Sequence, residues 1–578
     1  MKPQKPWKPY SENEVVRLVW LAIFISVFSF LYYNRQGDVL LYGDAVAHIN
    51  IARRVFDSKT PGLLQLGTVW LPLPHLLILP FVVSKNMWQS GMGGSFPSMA
   101  GFVLGVLGIF RLVRTVLSGG GSLDETGKTA AWCAAISYAA NPNLIYMQAT
   151  AMGEALYLAF FIWSAVFFAE YMVGSGPRTL LRCGLCLFAA CLTRYDGWFL
   201  SAVVVGAVLV FPFLAKEARN GAPQGLGPKS PISKSRAPKS SPRAPLLPTT
   251  QSVILKFVLL AAAGPVLWMG YNAVVYRDPL EFANGPYSAR AINQKTGTVN
   301  PSQGNLLAAG SYFLKAAELN VSEVKWLGRL WLLLALMGSL AVVFNNRGRA
   351  LLLLWTPLPF YALSVAYGSV PIFVPTWWPF SNYNVRYGLQ LLPAFAVFVP
   401  LGVSWIAQTA SRFGRVPRQW SQWAGVAVLP AVLVLAAASY SVIWRADPIC
   451  YREAAINMRG RVAIERQLAG WFKSLPADST LLMYLGEHVG ALEQAGIPLQ
   501  RVINEGNHRV WMRPVDPDGL WERALADPAG YADYVVGFEG DDVWTAAKLR
   551  HLAALVEIHT SGQPAAAIFQ GRREERAP

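Results

Sequence analysis

Val69-Trp70-Leu71-Pro72-Leu73-Pro74-His75-Leu76-Leu77-Ile78-Leu79-Pro80-Phe81-Val82-Val83 is apolar enough to pass for a membrane-spanning helix, and whether it crosses decides how the rest of the chain is threaded. Pro72, Pro74 and Pro80 argue that it does not. Each proline removes a backbone donor and crowds the preceding turn, and hydrocarbon holds no water to satisfy what is broken. The stretch reads as a broken helix lying at the interface. Were it to cross, either the N-terminus or the cationic segment 216–251 would move to the outer face.

The surroundings supply the spans. Of the 578 residues 53% are apolar and only 14% charged, against about 25% charged in an average soluble chain, so this is an integral membrane protein. Apolar runs cover 18–32, 99–117, 130–146, 156–172, 180–192, 198–214, 253–276, 326–344, 350–367, 389–407 and 425–443. With flanking residues most reach the ~20 needed to cross a ~30 Å hydrocarbon core as helix, giving eleven spans. The first run is too long for a signal peptide and has no small-x-small cleavage site, so it reads as an uncleaved span. The net charge of +17 is spread over short loops rather than gathered on one face, which fits positive-inside bias and gives no nucleic-acid surface.

Segment 216–251 sets the orientation, since its seven Lys/Arg stand against the single acid Glu217 amid Pro, Ser and Gly. It reads as a disordered cytoplasmic loop. Counting outward places Arg111/Arg114, Arg178/Arg182, Arg347/Arg349 and Arg412/Arg415/Arg418 inside as well. The N-terminus is then cytoplasmic, 36–97 and 277–325 are outer loops, and the chain leaves the membrane outside at about Arg445. The expected fold is mainly α, a polytopic helical membrane bundle (1–444) with juxtamembrane helices in its first outer loop, followed by a small extracytoplasmic α/β domain (445–578). In that domain β-like runs (480–485, 534–538, 565–569) alternate with helical stretches (459–472, 542–555). Cys133, Cys183, Cys186 and Cys191 sit in apolar runs and Cys450 in a polar one, which implies no disulfide framework. No internal repeat supports an inverted-repeat transporter.

Charged groups beside hydrocarbon are expensive and usually kept for a purpose, and the threading brings several to the same outer face. Asp44 and His48 are four apart, on one face of a helix. Asp44 suits a general base with His48 as its hydrogen-bond partner or a metal ligand, or else it caps a helix running to Asp57. Glu154 opens a span, where the helix dipole favours an acid, and a carboxylate there also suits a sugar hydroxyl or a divalent cation shared with Asp44. In Arg194-Tyr195-Asp196-Gly197-Trp198 the arginine either pairs with Asp196 or grips a phosphate with its planar fork, and Tyr195 and Asp196 are candidate substrate contacts. Arg386-Tyr387 closes an aromatic-rich segment containing Trp377, Trp378 and Asn382. That arginine either snorkels to headgroups or holds a lipid-linked phosphate whose sugar stacks on the aromatics. Glu487, His488, Glu505 and His508, in the C-terminal domain, form no recognisable ligand set and read as surface or packing residues.

Taken together, Asp44 in the first outer loop, Asn141-Pro142 leading into Met152-Gly153-Glu154-Ala155-Leu156, the Arg194-to-Trp198 run, and Arg386-Tyr387 followed by Leu392-Pro393 resemble the GT-C superfamily of membrane glycosyltransferases. The similar branch is that of protein mannosyltransferases and lipid A aminoarabinose transferases. The resemblance implies a hexosyl- or pentosyltransferase that uses a polyprenyl-phosphate sugar donor, in an extracytoplasmic cavity, with no nucleotide-sugar domain. Asp44 would be the base, and Arg386 with Arg194 would hold the donor phosphate. Many relatives carry a second acid directly after the first, where this chain has Ala45. The acceptor would belong to the envelope, a lipid, glycan or protein among membrane lipids. The rival readings are a transporter or lipid-linked sugar flippase, and a scaffold without activity.

Overall fold

The computed structural model describes residues 11–119, 123–220, 248–297, 299–344, 348–413, 426–486, 488–507 and 518–571. Most of segment 216–251 lies outside the described residues, as do Arg347, Arg415, Arg418, Glu487 and His508.

Local sequence sets where the helices begin and end. Ser11 and Glu14 form a reciprocal cap, the hydroxyl accepting from the Glu14 N–H and the carboxylate from the Ser11 N–H, so that helix Glu12–Gln36 starts there. Gly37 ends it at φ 79°, a conformation that costs glycine nothing. Among the described residues eight helices are long and apolar enough to cross a membrane: Glu12–Gln36, Met92–Ser118, Glu154–Met172, Gln251–Tyr276, Lys325–Phe344, Arg349–Tyr367, Val385–Ala410 and Val426–Phe472. The chain is thus a polytopic helical membrane protein.

The other three apolar runs are helical but shorter, as Glu125–Ala139, Pro177–Cys191 and the apolar part Asp196–Val210 of a longer helix. Run 130–146 divides because Asn141 caps a new helix, its side chain accepting from the Leu144 N–H at 3.0 Å, with Pro142 in the first helical position. Likewise, the last spanning segment turns at Asp447, whose φ is 60°, and at Pro448 before continuing as helix Ile449–Phe472.

The proline-rich stretch 69–83 behaves as its sequence dictates. Only Pro72–Ile78 is helical, roughly 10 Å at 1.5 Å per residue, far short of a crossing. With Gly43–Arg54 and Lys85–Gln89 it makes 36–97 a layer of short helices over one end of the bundle. Inside the bundle, helix Met92–Ser118 packs along Glu154–Met172, and Lys325–Phe344 along Leu392–Phe413. The second pair touches backbone to backbone: a Cβ on Gly338 or Gly402 would overlap a carbonyl oxygen of the facing helix.

A five-stranded sheet follows, comprising β1 Leu481–Met483, β2 Val502–Ile503, β3 Tyr534–Phe538, β4 Ala554–Ile558 and β5 Ala566–Gln570. The order is β2-β1-β3-β5-β4, with β2 and β3 parallel to β1 and β5 antiparallel to β3 and β4. Two expectations need correcting. The helix expected over 459–472 begins ten residues earlier, at Ile449, and the one expected over 542–555 stops at Leu549, because Ala554 already pairs in the sheet.

This region is seated on the 36–97 layer by specific polar contacts. Asn50 Nδ2 donates to Glu493 Oε2 at 2.5 Å, Gln89 Nε2 to the Glu493 carbonyl at 3.0 Å, Gln65 Nε2 to the Gly506 carbonyl at 2.9 Å and Asn507 Nδ2 to Thr60 Oγ1 at 2.9 Å. Burial pushes the Glu493 carboxyl well above its ordinary range, with the Asn50 bond pulling the other way. The Asn50 amide therefore meets a group that gains little by ionising.

Candidate active site

Between the 36–97 layer, the segments entering the bundle and the sheet region lies an open cavity of about 1540 Å³. Its wall carries Asp44, Glu154, Arg194, Asp196, Arg386 and Tyr387, six residues spread over more than 340 positions of sequence.

Arg386 is the hub. It lies in the 3-10 turn Val385–Leu391 with its side chain only 10% exposed. Nη2 donates to Asp44 Oδ2 at 2.6 Å, Nη1 to Glu453 Oε1 at 2.7 Å, and Nε stands 3.4 Å from Glu154 Oε1. The same Glu154 oxygen accepts from Arg194 Nη1 at 2.9 Å. Arg194 in turn reaches Tyr361 Oη (3.0 Å) and lies 3.3 Å from Asp196, while Tyr361 donates to Asp196 Oδ2 at 3.1 Å. Tyr387 sits under both guanidiniums, each 5.1 Å from its ring, and Tyr42 under Arg386 at 4.9 Å. Four carboxylates thus surround two arginines that are also stacked on aromatic faces.

The turn can carry Arg386 into this cluster because Gly388 lies hard against helix Leu306–Val321. A Cβ there would overlap the backbone of Ala316 and Ala317.

Several local readings are now decided. Asp44 is not a helix cap: Tyr42 holds that position and the helix ends at Arg54. Asp44 is instead in the first turn, aimed at Arg386, with 38% of its side chain exposed. Glu154 does open its helix, and one oxygen of its carboxylate, 1% exposed, is shared by the two arginines. Arg194 pairs with Asp196 and with Glu154 together. Arg386 is enclosed by acids and does not snorkel.

His48 lines the cavity, but its ring partner is His75, Nδ1 to Nε2 at 2.8 Å. Burial lowers the His48 pKa, with Asp44 and Glu154 pulling the other way, and burial with the neighbouring His48 lowers that of His75 well below the usual imidazole range. Burial thus favours the neutral form of both rings, and across the contact one nitrogen donates and the other accepts. Tyr195 lines the cavity too, donating to the Val69 carbonyl at 2.8 Å and stacking on Phe282 at 5.1 Å.

Trp377, Trp378 and Asn382 are not brought to the cavity wall. Trp377 meets Tyr312 at 5.1 Å, the Trp378 carbonyl accepts from Tyr312 Oη at 2.6 Å, and the Asn382 carbonyl accepts from Asn457 at 3.0 Å. Their neighbours Ser381, Tyr383 and Asn384 line it instead. Among the described residues no group of three or more His, Cys, Asp or Glu side chains is placed to hold a metal ion. The Arg386 guanidinium lies between Asp44 and Glu154, 2.6 Å from an oxygen of the first and 3.4 Å from one of the second.

Sequence reasoning missed Glu453, Tyr361 and Tyr42. Glu453 had no signal of its own, being an acid in a polar segment, and a tyrosine in an apolar run is commonplace.

No protein-family model matches the sequence, and no curated protein matches it significantly. Solved structures do resemble the fold. ArnT from Cupriavidus metallidurans, bound to undecaprenyl phosphate, superposes with a TM-score of 0.51 over 98% of this chain and 100% of that one, at 15% identity. The Archaeoglobus fulgidus oligosaccharyltransferase in its apo form matches 91% of this chain and 70% of that one at 14% identity, with a TM-score of 0.46. The likeness to ArnT carries the architecture alone: the two chains share a fold over nearly their whole lengths.

Proposed function

We propose that this chain is a membrane glycosyltransferase that moves a sugar from a polyprenyl-phosphate donor to an envelope acceptor, a lipid, glycan or protein, by base-assisted displacement on the extracytoplasmic face. One observation carries the reading: Arg386 offers Nη2 to Asp44, and Asp44 is the partly exposed member of the three carboxylates around that guanidinium.

The step follows from that geometry. In the resting site Asp44 is tied to Arg386. The donor phosphate takes over Nη2, and Arg194, which shares Glu154 and the Tyr387 ring with Arg386, supplies a second cation. Asp44 is thereby released beside the sugar with an unpaired carboxylate. It takes the proton of an acceptor hydroxyl or amine as that atom attacks the anomeric carbon. The bond from that carbon to the phosphate oxygen breaks with both electrons staying on the phosphate. The leaving group is already an anion and needs no acid, only the guanidiniums that stabilise its growing charge. Tyr195 and Asp196 border the space left for the sugar. His48, held by His75, acts in this scheme as an anchor of the helix that carries Asp44.

The test is transfer of radiolabelled sugar from a polyprenyl-phosphate donor to envelope fractions by the purified chain in bilayers. Transfer that disappears on altering Asp44 or Arg386 supports the proposal. Movement of the labelled lipid between leaflets without transfer would replace it with the flippase reading.

A further inference from the structure

Glu453 lies in the first turns of helix Ile449–Phe472, and its side chain is wholly buried. One oxygen accepts from two consecutive backbone N–H groups, Val385 at 2.6 Å and Arg386 at 3.3 Å, and the other accepts from Arg386 Nη1 at 2.7 Å. A single carboxylate therefore grips the main chain and the side chain of the same arginine.

The grip is itself anchored. The Cys450 N–H donates to Asn143 Oδ1 at 2.9 Å and its carbonyl accepts from Tyr42 Oη at 2.7 Å. On the other side Asn320 Nδ2 donates to the Val385 carbonyl at 2.8 Å, and Asn384, at φ 57°, donates to the Pro371 carbonyl at 2.9 Å. An arginine loses much rotamer freedom when held in one geometry, and here that ordering is done before any ligand arrives. With Nη1 and the backbone taken by Glu453, Nη2 is the nitrogen left facing Asp44 and the cavity.

We infer that Glu453 is a positioning residue of the anion site: it fixes Arg386 so that Nη2 alone exchanges between Asp44 and a lipid phosphate, without touching substrate itself. The inference rests on the donor reading given above. It also makes the segment following the last span part of the site, since the residue that aims Arg386 comes from there.

The experiment uses the full chain in nanodiscs, with undecaprenyl phosphate as the probe, and compares Glu453→Gln, Glu453→Asp, Arg386→Gln and the Gln/Gln double variant. If Glu453 acts through Arg386, Glu453→Gln weakens lipid binding by about tenfold or more in the wild-type background and by less than about twofold once Arg386 is gone. A structural role would instead multiply the two losses, and that result, or wild-type affinity in Glu453→Gln, overturns the inference. Should Glu453→Gln fail to fold, Glu453→Asp decides. It keeps the charge but withdraws it by one methylene, so a loss of about threefold or more in affinity is expected, and unchanged affinity overturns the inference. Failure of the underlying donor reading looks different: the wild type then binds no lipid phosphate, or Arg386→Gln binds it as well as wild type.

Discussion

Of the three helices that present a carboxylate to Arg386, two do so under opposite conditions. Gly43–Arg54 brings Asp44 from the open side, 38% exposed, as part of a layer of short helices. Ile449–Phe472 brings Glu453 from behind, fully buried and bonded to the backbone as well. An ion pair with one partner open to water is exchanged more easily, whereas one buried at both ends is costly to break from either end. The difference separates a contact suited to turnover from one suited to holding.

The largest effect should follow from removing the hub. Arg386→Gln leaves Glu453 buried without its counter-charge, so we expect a loss of stability of about 3–5 kcal/mol together with transfer reduced by ~10²-fold or more. Thermal unfolding and the transfer assay read the two losses, and retained turnover would break the comparison at its centre.

Asp44→Asn is the sharper case, because its two readouts should diverge. Transfer is expected to fall ~10²–10⁴-fold, while stability changes by less than about 1 kcal/mol. Binding of undecaprenyl phosphate should be undiminished or tighter, since the competing carboxylate is gone. Weakened lipid binding would show that Asp44 does not compete for Nη2.

A Gly388→Ala chain tests the support beneath the turn. The added methyl has no room against Ala316 and Ala317, and overpacking of this kind costs about 1–3 kcal/mol. Arg386 would be shifted with the turn, raising the donor KM more than it lowers the melting temperature of the sheet region.

The smallest effect concerns His488, stacked on Phe538 at 4.1 Å. Burial, with Arg461 nearby, lowers its pKa to about 4. The folded state therefore prefers the neutral ring, and the unfolded chain binds the extra proton. Stability is complete above the ordinary imidazole pKa of about 6.5 and is lost as pH falls from there towards about 4, by roughly 2–3 kcal/mol. His488→Phe should flatten that part of the pH profile of thermal unfolding; an unchanged slope would assign the acid sensitivity elsewhere.

The positions of Asp44, Glu154, Arg194 and Arg386 were legible in the chain because a charge next to an apolar run stands out against its surroundings. Glu453 was invisible for the converse reason, since it lies in a polar segment where an acid attracts no attention. The aromatic segment before Arg386 was legible as to type but not direction: Ser381, Tyr383 and Asn384 face the cavity, and Trp377, Trp378 and Asn382 do not. Composition cannot say which side of an irregular loop faces inward, because no period links its residues. Apolar runs gave helices reliably and their lengths less so, as at Asn141-Pro142, where a capping side chain and a proline divided one run into two.

The 67 positions between Arg386 and Glu453 also impose an order on biosynthesis. A ribosome releases the arginine well before the acid that aims it, so the nascent protein enters the bilayer with a guanidinium whose rear counter-ion has not yet been made. A translation product ending before Ile449 would keep every segment of the helical bundle and still be unable to seat that side chain. Such a fragment would resemble the finished protein in hydropathy and in membrane insertion, and would lack the grip that Glu453 has on Arg386.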